Sequence, residues 1–433
     1  MKNSKYFQLL LLLIFTQLSP GVLAVESADL HSQKFRQREF AKAQVHINLG
    51  NLNEALPILQ SYRKTCLSSN SFENASFASL LIASILDQNG RFSDSIEECK
   101  AGLSSAERAR EIGSKRNEPA ALHCMLLWKL SESQFYAGKS KSAIATLEDA
   151  IEFAENRGLT QSKPDLLLQM RFQKALEMES INMTKAKDLF RDSKSERLKT
   201  FEAMSGVRLQ EVSLKRKDII SVFKPEHLDL SNAQIVAIEK GVEGIPSRSS
   251  KLLTERGYFL VVYSPDTAGK IIQPFVTNRR RVMGSYNFVV KSLQISIDGK
   301  SRPKVDEAID LQSEIFRQAG YAFDDALGDF SQTNLFLDAY CHDWKALHGK
   351  DPREPRIPEI MSPAARLGVF AQVFMGLAQV ETPILYSDPG KNPNLEWNPA
   401  VTAVVKENIA NANKPAHRFP SYFLKLKSIP TGN

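Results

Sequence analysis

Beyond its first 24 residues, the 433-residue chain lacks any apolar run long enough to cross a bilayer. The longest candidate runs from Leu367 to Gln379 and contains Gln372. A transmembrane helix needs about 20 apolar residues, so this run is too short and reads as a core helix. We therefore predict no transmembrane segment in the mature chain.

Cysteine and excess charge are also scarce. The four cysteines are Cys66, Cys99, Cys124 and Cys341. Their spacing matches no zinc-binding pattern; an even number allows disulfides in an exported chain, but free buried thiols are the simpler expectation. The formal charge is +7 and becomes +5 once Lys2 and Lys5 are removed, which is mild for this length. It gives no reason to expect a nucleic-acid partner.

The sequence motifs of common hydrolases and nucleotide-binding proteins are absent as well. The chain contains neither a G-x-S-x-G elbow nor an H-E-x-x-H helix. The segment SPDTAGK, Ser264–Lys270, lacks the leading glycine and the final Ser or Thr of a phosphate-binding loop. Cys341 and His342 are neighbours, which point in different directions on a helix and so are not expected to pair as nucleophile and base. Cys341 could still meet His348 or His417 through the fold, although a buried thiol is the simpler expectation. We predict no catalytic residue, no cofactor and no metal site.

Two charged clusters allow more than one interpretation. Asp324, Asp325 and Asp329 surround a glycine and could hold calcium, although helix capping is simpler. The three arginines of 279–281 follow a predicted strand. They could bind a phosphate, a carboxylate or an acidic polymer, or they could form a solvated turn.

The first 24 residues have the organisation of a secretory signal peptide. Lys2 and Lys5 precede the apolar run Leu9–Phe15, and a small-residue cleavage signal ends at Ala24. An uncleaved anchor is the alternative. We expect the mature protein to begin at Val25 and to be secreted or periplasmic.

The next part of the chain repeats one pattern three times. Helix-like segments end at Gly50, Gly90 and Gly138. The fifth residue after each glycine is small (Ala55, Ser95, Ala143), and the sixth and ninth are apolar (Leu56 and Leu59, Ile96 and Cys99, Ile144 and Leu147). The pattern predicts helical pairs in which glycine ends the first helix in a left-handed conformation. Asn53 and Ser93 are the expected N-caps of the second helices.

These residues resemble the second half of the tetratricopeptide-repeat (TPR) motif, over roughly residues 33 to 160. The repeat spacing is longer than usual for that family. We expect a fourth, degenerate helical pair over 164–197, with Ala186 in the small-residue position. The resemblance implies an N-terminal all-α helical-repeat (TPR-like) solenoid, which we assign to residues 25–210. A generic helical bundle is the alternative.

The resemblance also implies a concave groove, lined by the first helix of each pair, that binds a peptide or protein partner. Counting two, six and thirteen residues back from each glycine selects the groove positions. The polar and aromatic candidates for binding are Gln37, Gln44, Asn48, Ser84, Gln88, Glu132 and Tyr136, with Phe77 and Met125 as the apolar members. Solvated helix faces would show the same composition.

Residues 211–433 have a different pattern, in which short β-type runs precede helices. The expected strands are AQIVAI (233–238), YFLVVY (258–263), KIIQPFVT (270–277), YNFVV (286–290) and LQISI (293–297). The expected helices cover 305–319, 333–348, 363–379 and 399–411. This order of elements predicts an α+β domain.

Three functions fit these observations. The first is an exported scaffold or adaptor that binds a peptide or protein through its repeats. The second is an exported enzyme, most simply a hydrolase, whose active site lies in the C-terminal domain. The third is a structural envelope component that oligomerises through the repeats. An unfamiliar active site would escape a motif search, so the absence of motifs weighs only weakly against the enzyme.

Overall fold

The computed structural model describes residues 30–48, 51–112, 118–216, 219–264, 283–297, 305–349, 351–352, 363–381 and 393–412. The chain divides into two compact units, Met1–Leu189 and Phe190–Asn433. We call them unit 1 and unit 2. The first is helical, and the second combines helices with a small mixed sheet. The predicted signal peptide and Gly50 lie outside the described residues, and the predicted domain limits at residue 210 stay a prediction.

The described part of unit 1 consists of consecutive helices. They are α1 (Leu30–Asn48), α2 (Leu52–Ser68), α3 (Phe72–Gln88), α4 (Phe92–Glu111), α5 (Glu118–Tyr136), α6 (Ser140–Asn156), the single turn α7 (Leu159–Ser162), α8 (Pro164–Glu179) and α9 (Met183–Ser205), within which the division between the units falls. Each helix from α1 to α6 packs against the next. In addition, α3 packs against α5, and α5 and α6 both pack against α8.

Gly90 and Gly138 end α3 and α5 in the predicted left-handed conformation, with φ of +73° and +80°. The N–H of Gly90 bonds to the carbonyl of Asp87 at 2.9 Å, and the N–H of Arg91 bonds to that of Leu86 at 2.9 Å. The same two bonds recur around Gly138. This pair of bonds is the Schellman motif, which satisfies carbonyls that the helix end would leave unpaired.

The predicted N-caps Asn53 and Ser93 are wrong. Both residues lie inside their helices, which begin at Leu52 and Phe92. Asn51 and Arg91 occupy the cap positions, and neither makes a side-chain capping bond. At Gly90 the physical reason is that the Schellman bonds already close the turn, so the next helix starts two residues after the glycine.

The small residues of the repeat pattern lie at helix contacts. Ala55, Ser95, Ala143 and Ala186 are all inaccessible to solvent. The apolar residues four positions later, Leu59, Cys99 and Leu147, are equally buried. Small side chains allow the helix backbones to approach closely, and one helical turn later the larger residue fills the core.

Unit 2 has a five-stranded mixed sheet in its described part. The strands are β1 (Leu209–Glu211), β2 (Ser221–Pro225), β3 (Phe259–Tyr263), β4 (Met283–Asn287) and β5 (Ser292–Ser296). Their order in the sheet is β1-β2-β3-β5-β4, with β2, β3 and β5 parallel and the two edge strands antiparallel. Every residue of β3 and β5 is buried, as expected for inner parallel strands.

The helices of unit 2 are α10 (Asn232–Glu243), α11 (Ser247–Glu255), α12 (Val305–Ala326), α13 (Asn334–His348), α14 (Pro363–Glu381), α15 (Pro393–Glu396) and α16 (Pro399–Asn411), with a short 3₁₀ turn at Phe330–Gln332. Helix α12 packs on β4 and β5 and also contacts α10, α11 and α14. It is therefore the central helix of this unit.

The predicted strand AQIVAI is wrong, because these residues belong to helix α10. Ser231 and Gln234 form a capping box at its start, in which each side chain bonds to the other residue's backbone N–H. The predicted run at 258–263 contains β3, the run at 293–297 covers all of β5 except Ser292, and the run at 286–290 includes only the end of β4. The predicted run KIIQPFVT and the arginines 279–281 lie outside the described residues.

Two sequence-level expectations concern the whole chain. All four cysteines lie in the part of the chain that the structure describes; all are buried, and no disulfide joins any two of them. Among the helices described, none is both long enough and apolar enough to cross a membrane.

Candidate functional site

The predicted groove residues differ widely in exposure. Gln37 is exposed, Gln44 and Tyr136 are half-buried, and Ser84, Gln88 and Glu132 are buried; only the backbone of Asn48, at the end of α1, is described. Phe77 and Met125 belong to the hydrophobic core or pack against it. The positions on α1 are therefore more open than those on α3 and α5. A binding groove at these residues stays a prediction.

One of these residues, Glu132, belongs to a set of largely buried polar side chains that we call the polar network. Its members are Asp87, Ser95, Lys129, Ser131, Glu132, Ser133, Gln173 and Glu177. The network has two hydrogen-bonded parts, which interact through the charges of Glu132 and Glu177. Its acids come one each from α3, α5 and α8, the first helices of three successive pairs. Its one lysine lies on α5.

Lys129 joins the two acids at the α3–α5 contact. Its Nζ lies 2.9 Å from Asp87 Oδ2 and 2.8 Å from Glu132 Oε2. Ser133 Oγ donates to Asp87 Oδ2 at 2.9 Å and shares a second 2.9 Å hydrogen bond with Ser95 Oγ. The bonds come from three helices, so this part of the network fixes α3, α4 and α5 relative to one another.

Burial and charge oppose each other at Lys129. Burial alone lowers the pKa of a lysine, because the charged form loses its hydration. Here Asp87 and Glu132 outweigh burial, and the pKa of Lys129 is raised well above its ordinary value. Burial raises the pKa of Glu132, and Lys129 opposes that rise. The lysine is therefore held as a cation.

Glu177 forms the α5–α8 part of the network. Ser131 Oγ donates to its two carboxylate oxygens at 2.8 and 3.0 Å, and Gln173 Nε2 donates to Oε1 at 3.1 Å. Burial raises the pKa of Glu177 to about 7, the two donors oppose the rise, and the charge of Glu132 adds to it. This carboxyl group therefore changes charge near neutral pH.

The end of α3 has polar atoms that the described residues do not satisfy. Asp87 Oδ1 and both amide atoms of Gln88 are buried, and within the described part of the chain they have no hydrogen-bond partner. Gln88 is only 4% exposed. Each such group costs about 1–3 kcal/mol when nothing bonds to it. A carboxylate acceptor, an amide donor and an amide acceptor thus lack a hydrogen bond at Asp87 and the adjacent Gln88.

Sequence reasoning found Glu132 and missed Asp87, Lys129 and Glu177. The glycine-based count samples only positions two, six and thirteen before each turn, and these three residues lie at other positions. A signal was present, because each is a charged residue inside a mainly apolar first helix. A charge in such a helix needs a partner, and the sequence does not show which residue supplies it.

A second buried polar cluster lies in unit 2. Lys291 Nζ contacts the two oxygens of Asp325 at 3.1 and 2.9 Å, and Tyr258 and Tyr286 donate their hydroxyls to Asp325 Oδ2 at 2.6 and 2.7 Å. Lys291 is 1% exposed and has φ of +55°, a conformation that a lysine rarely adopts. Burial lowers the pKa of Lys291, and Asp325 opposes that fall.

The three aspartates singled out in the sequence have separate roles here. Asp325 pairs with Lys291, whereas Asp324 accepts bonds from the N–H and hydroxyl of Ser331 at 2.6 and 2.9 Å. Asp329 precedes the 3₁₀ turn in a left-handed conformation. In the described ranges, no group of three or more His, Cys, Asp or Glu residues is arranged to hold a metal ion.

The chain was also compared with known proteins. No protein-family model, no curated protein and no solved structure matches it.

Proposed function

We propose that the protein is an exported interaction protein and that TPR-like repeats in unit 1 bind a peptide or protein partner. The observation that supports this most directly is the polar network. It takes one acid from the first helix of each of three successive pairs. In TPR-like repeats these first helices line the binding groove, so the network lies in the layer where a ligand is expected.

The unsatisfied atoms at the end of α3 suit a ligand held through its backbone. A peptide group offers one N–H donor and one C=O acceptor. The amide of Gln88 offers the complementary pair, and Asp87 Oδ1 offers a further acceptor. Burying these atoms costs free energy in the unbound protein, so a ligand that bonds to them recovers that cost on binding.

The proposal is tested by replacing one residue on each of three first helices. The triple variant Gln44→Ala, Gln88→Ala, Tyr136→Ala removes predicted groove side chains from α1, α3 and α5. Truncating an interface residue commonly costs about 1 kcal/mol, so affinity should fall by roughly a hundredfold for three. The measurement compares recovery of interacting proteins by the mature full-length variant and by the wild type, followed by titration of the recovered partner.

A matched control changes three exposed residues on the second helix α4: Glu97→Ala, Lys100→Ala and Ser104→Ala. A partner retained by the wild type and this control, and lost by the groove variant, supports the proposal. Retention by all three proteins places recognition elsewhere. Circular dichroism and thermal unfolding establish that each variant is folded.

The Lys291–Asp325 cluster favours a second candidate, an exported hydrolase with its active site in unit 2. A buried lysine with a lowered pKa and a strained backbone is a feature that active sites share. Assays of the mature protein with ester, peptide and glycoside model substrates test this candidate. Turnover that Lys291→Gln abolishes, with little change in the thermal unfolding midpoint, would support it. Loss of folding in the same variant would instead assign Lys291 to stability.

A further inference from the structure

We propose that unit 1 has a separate binding site for a phosphate group, free or as the monoester of a small molecule, at Arg110, His123, Phe153 and Arg157. The guanidinium carbons of Arg110 and Arg157 lie 5.2 and 5.5 Å from the centre of the Phe153 ring. The imidazole of His123 stacks on the same ring at 4.4 Å. Two cations and a polar ring thus converge on one aromatic side chain. The site does not depend on peptide binding.

The four residues of the site differ in exposure. Arg157 is exposed, and Arg110 and Phe153 are half-buried, so a ligand in solvent can reach the two guanidinium groups. His123 is 8% exposed. Its Nδ1 is buried and, among the described residues, has no hydrogen-bond partner. A ligand oxygen that reached this nitrogen would supply that partner.

The site carries positive charge that the described residues do not neutralise. Neither arginine forms an ion pair with any acid in the described ranges, whereas Arg171 pairs with Glu155, two residues before Arg157. Burial lowers the pKa of His123 to about 4, and the charges of Arg110 and Arg157 lower it further in the same direction. His123 is therefore neutral at pH 7, and the uncompensated charge is that of the two arginines.

Helix ends explain part of this arrangement. Arg110 lies in the last turn of α4, and Arg157 is the residue that caps α6. Cations are favoured there because the helix dipole is negative at its C-terminus. The dipole does not account for the convergence of both arginines on one ring, nor for the unpartnered nitrogen of His123, which stacks on the same ring.

A phosphate dianion matches this site better than a carboxylate does. Two guanidinium groups present two positive charges and several N–H donors, and guanidinium groups bind phosphate through paired hydrogen bonds. A phosphate monoester carries between one and a half and two negative charges at pH 7. It also has enough oxygens to contact both arginines and His123 at once.

The test is calorimetric titration of the mature protein with inorganic phosphate, glycerol phosphate and acetate. Arg110→Gln and Arg157→Gln should each weaken phosphate binding by roughly tenfold or more, because a charge-assisted bond is lost. Arg108→Gln is the matched control: it removes the same charge from the same turn of α4, but Arg108 lies over Phe72 instead. This control should bind phosphate as the wild type does.

Proton NMR of the histidine rings locates the ligand, with the signals of His123 assigned by their loss in His123→Phe. Phosphate should shift these signals in the wild type and in Arg108→Gln. Equal weakening by all three arginine variants, equal binding of acetate, or an unshifted His123 would each overturn the proposal. Binding of glycerol phosphate at least as tight as that of phosphate identifies the ligand as an ester, and weaker binding identifies free phosphate.

Discussion

At the scale of single residues, glycine has two different roles in unit 1. Gly90 has φ of +73°, and nothing lies within 4 Å of the position that a Cβ would take. Gly102 lies within α4, where an added Cβ would be 2.8 Å from Leu126 Cδ2 and 2.9 Å from Ser79 Cβ. The first glycine is required by the backbone conformation, and the second by the close approach of neighbouring helices.

We expect Gly90→Ala to lower the free energy of unfolding by about 1 kcal/mol, because alanine is strained in the left-handed region but meets no other atom. Gly90→Asn should cost less, since asparagine tolerates this conformation, as Asn70 does at the end of α2 with φ of +54°. Urea denaturation measures both. Equal costs for alanine and asparagine would contradict a conformational origin.

Gly102→Ala should be destabilising by about 1–3 kcal/mol through overpacking, although alanine has the higher helix propensity. The companion change Leu126→Val reduces the larger of the two neighbours and should recover part of the loss in the double variant. Additive effects of the two changes in urea denaturation would show that the predicted contact is not the cause.

We predict that Glu177 makes the stability of unit 1 depend on pH. Its pKa is about 7 in the folded protein, against an ordinary value near 4.5. Between these values the unfolded chain loses its proton while the folded chain keeps it, so stability falls as pH rises from about 4.5 to about 7. The free energy of unfolding should change by the order of 3 kcal/mol over this pH interval, and Glu177→Gln should remove that change. Urea denaturation at pH 5 and pH 8 measures it, and parallel pH profiles of variant and wild type would contradict it.

At the scale of elements, the Lys291–Asp325 pair attaches the β4–β5 hairpin to helix α12. Lys291 ends the turn between the two strands, and Asp325 lies in the last turn of α12. Removing one member of a buried pair leaves the other without compensation. The positive φ of Lys291 is consistent with a turn position where glycine or asparagine would be more usual.

Lys291→Met should therefore lower the free energy of unfolding by about 3–5 kcal/mol. The double variant Lys291→Met, Asp325→Leu should be less destabilised than the sum of the single variants. Lys100→Met, which breaks an exposed pair with Glu97, is the control and should cost less than about 0.5 kcal/mol. A similar small loss for Lys291→Met would contradict a structural role for the buried pair.

The helices and strands differ in how well the sequence predicts them. Helix α16 and the runs at β3 and β5 were predictable, because their apolar patterns are long or uninterrupted. The residues of α10 resemble a strand in sequence, since Ile235, Val236 and Ile238 favour β structure. The capping box at Ser231 and Gln234 is the opposing signal in the sequence. The short strands β1 and β2 are not predicted, although Val222 and Phe223 of β2 favour β structure. β1 depends on pairing with β2, and β2 depends on pairing with β3.

The candidate sites were less predictable than the helices. Glycine spacing identifies the first helices and, through them, Glu132. It does not identify Asp87, Lys129 or Glu177, whose pairing depends on which helices become neighbours. The same holds for Lys291 and Asp325, which are 34 residues apart in the chain and come together only in the folded unit.

At the scale of the whole molecule, we predict that the natural protein begins at Val25 and is found outside the cytoplasm. The two lysines, the apolar run and the small-residue signal at 22–24 are the features that a signal peptidase recognises. N-terminal sequencing of the protein isolated from its source measures the outcome. A natural protein that begins at Met1 would contradict the prediction.

In an oxidising compartment, the burial of the thiols in unit 1 would protect them from oxidation only after the chain has folded. Burial raises the pKa of Cys66 to about 11 and that of Cys124 to about 12, so almost no reactive thiolate exists at neutral pH once the chain is folded. Before folding, the same thiols are exposed to oxidants. The thiols of the mature protein would then stay reduced because the chain folds faster than its thiols are oxidised. A variant that folds slowly would be oxidised before it folds, and disulfides that the native structure does not contain would trap it.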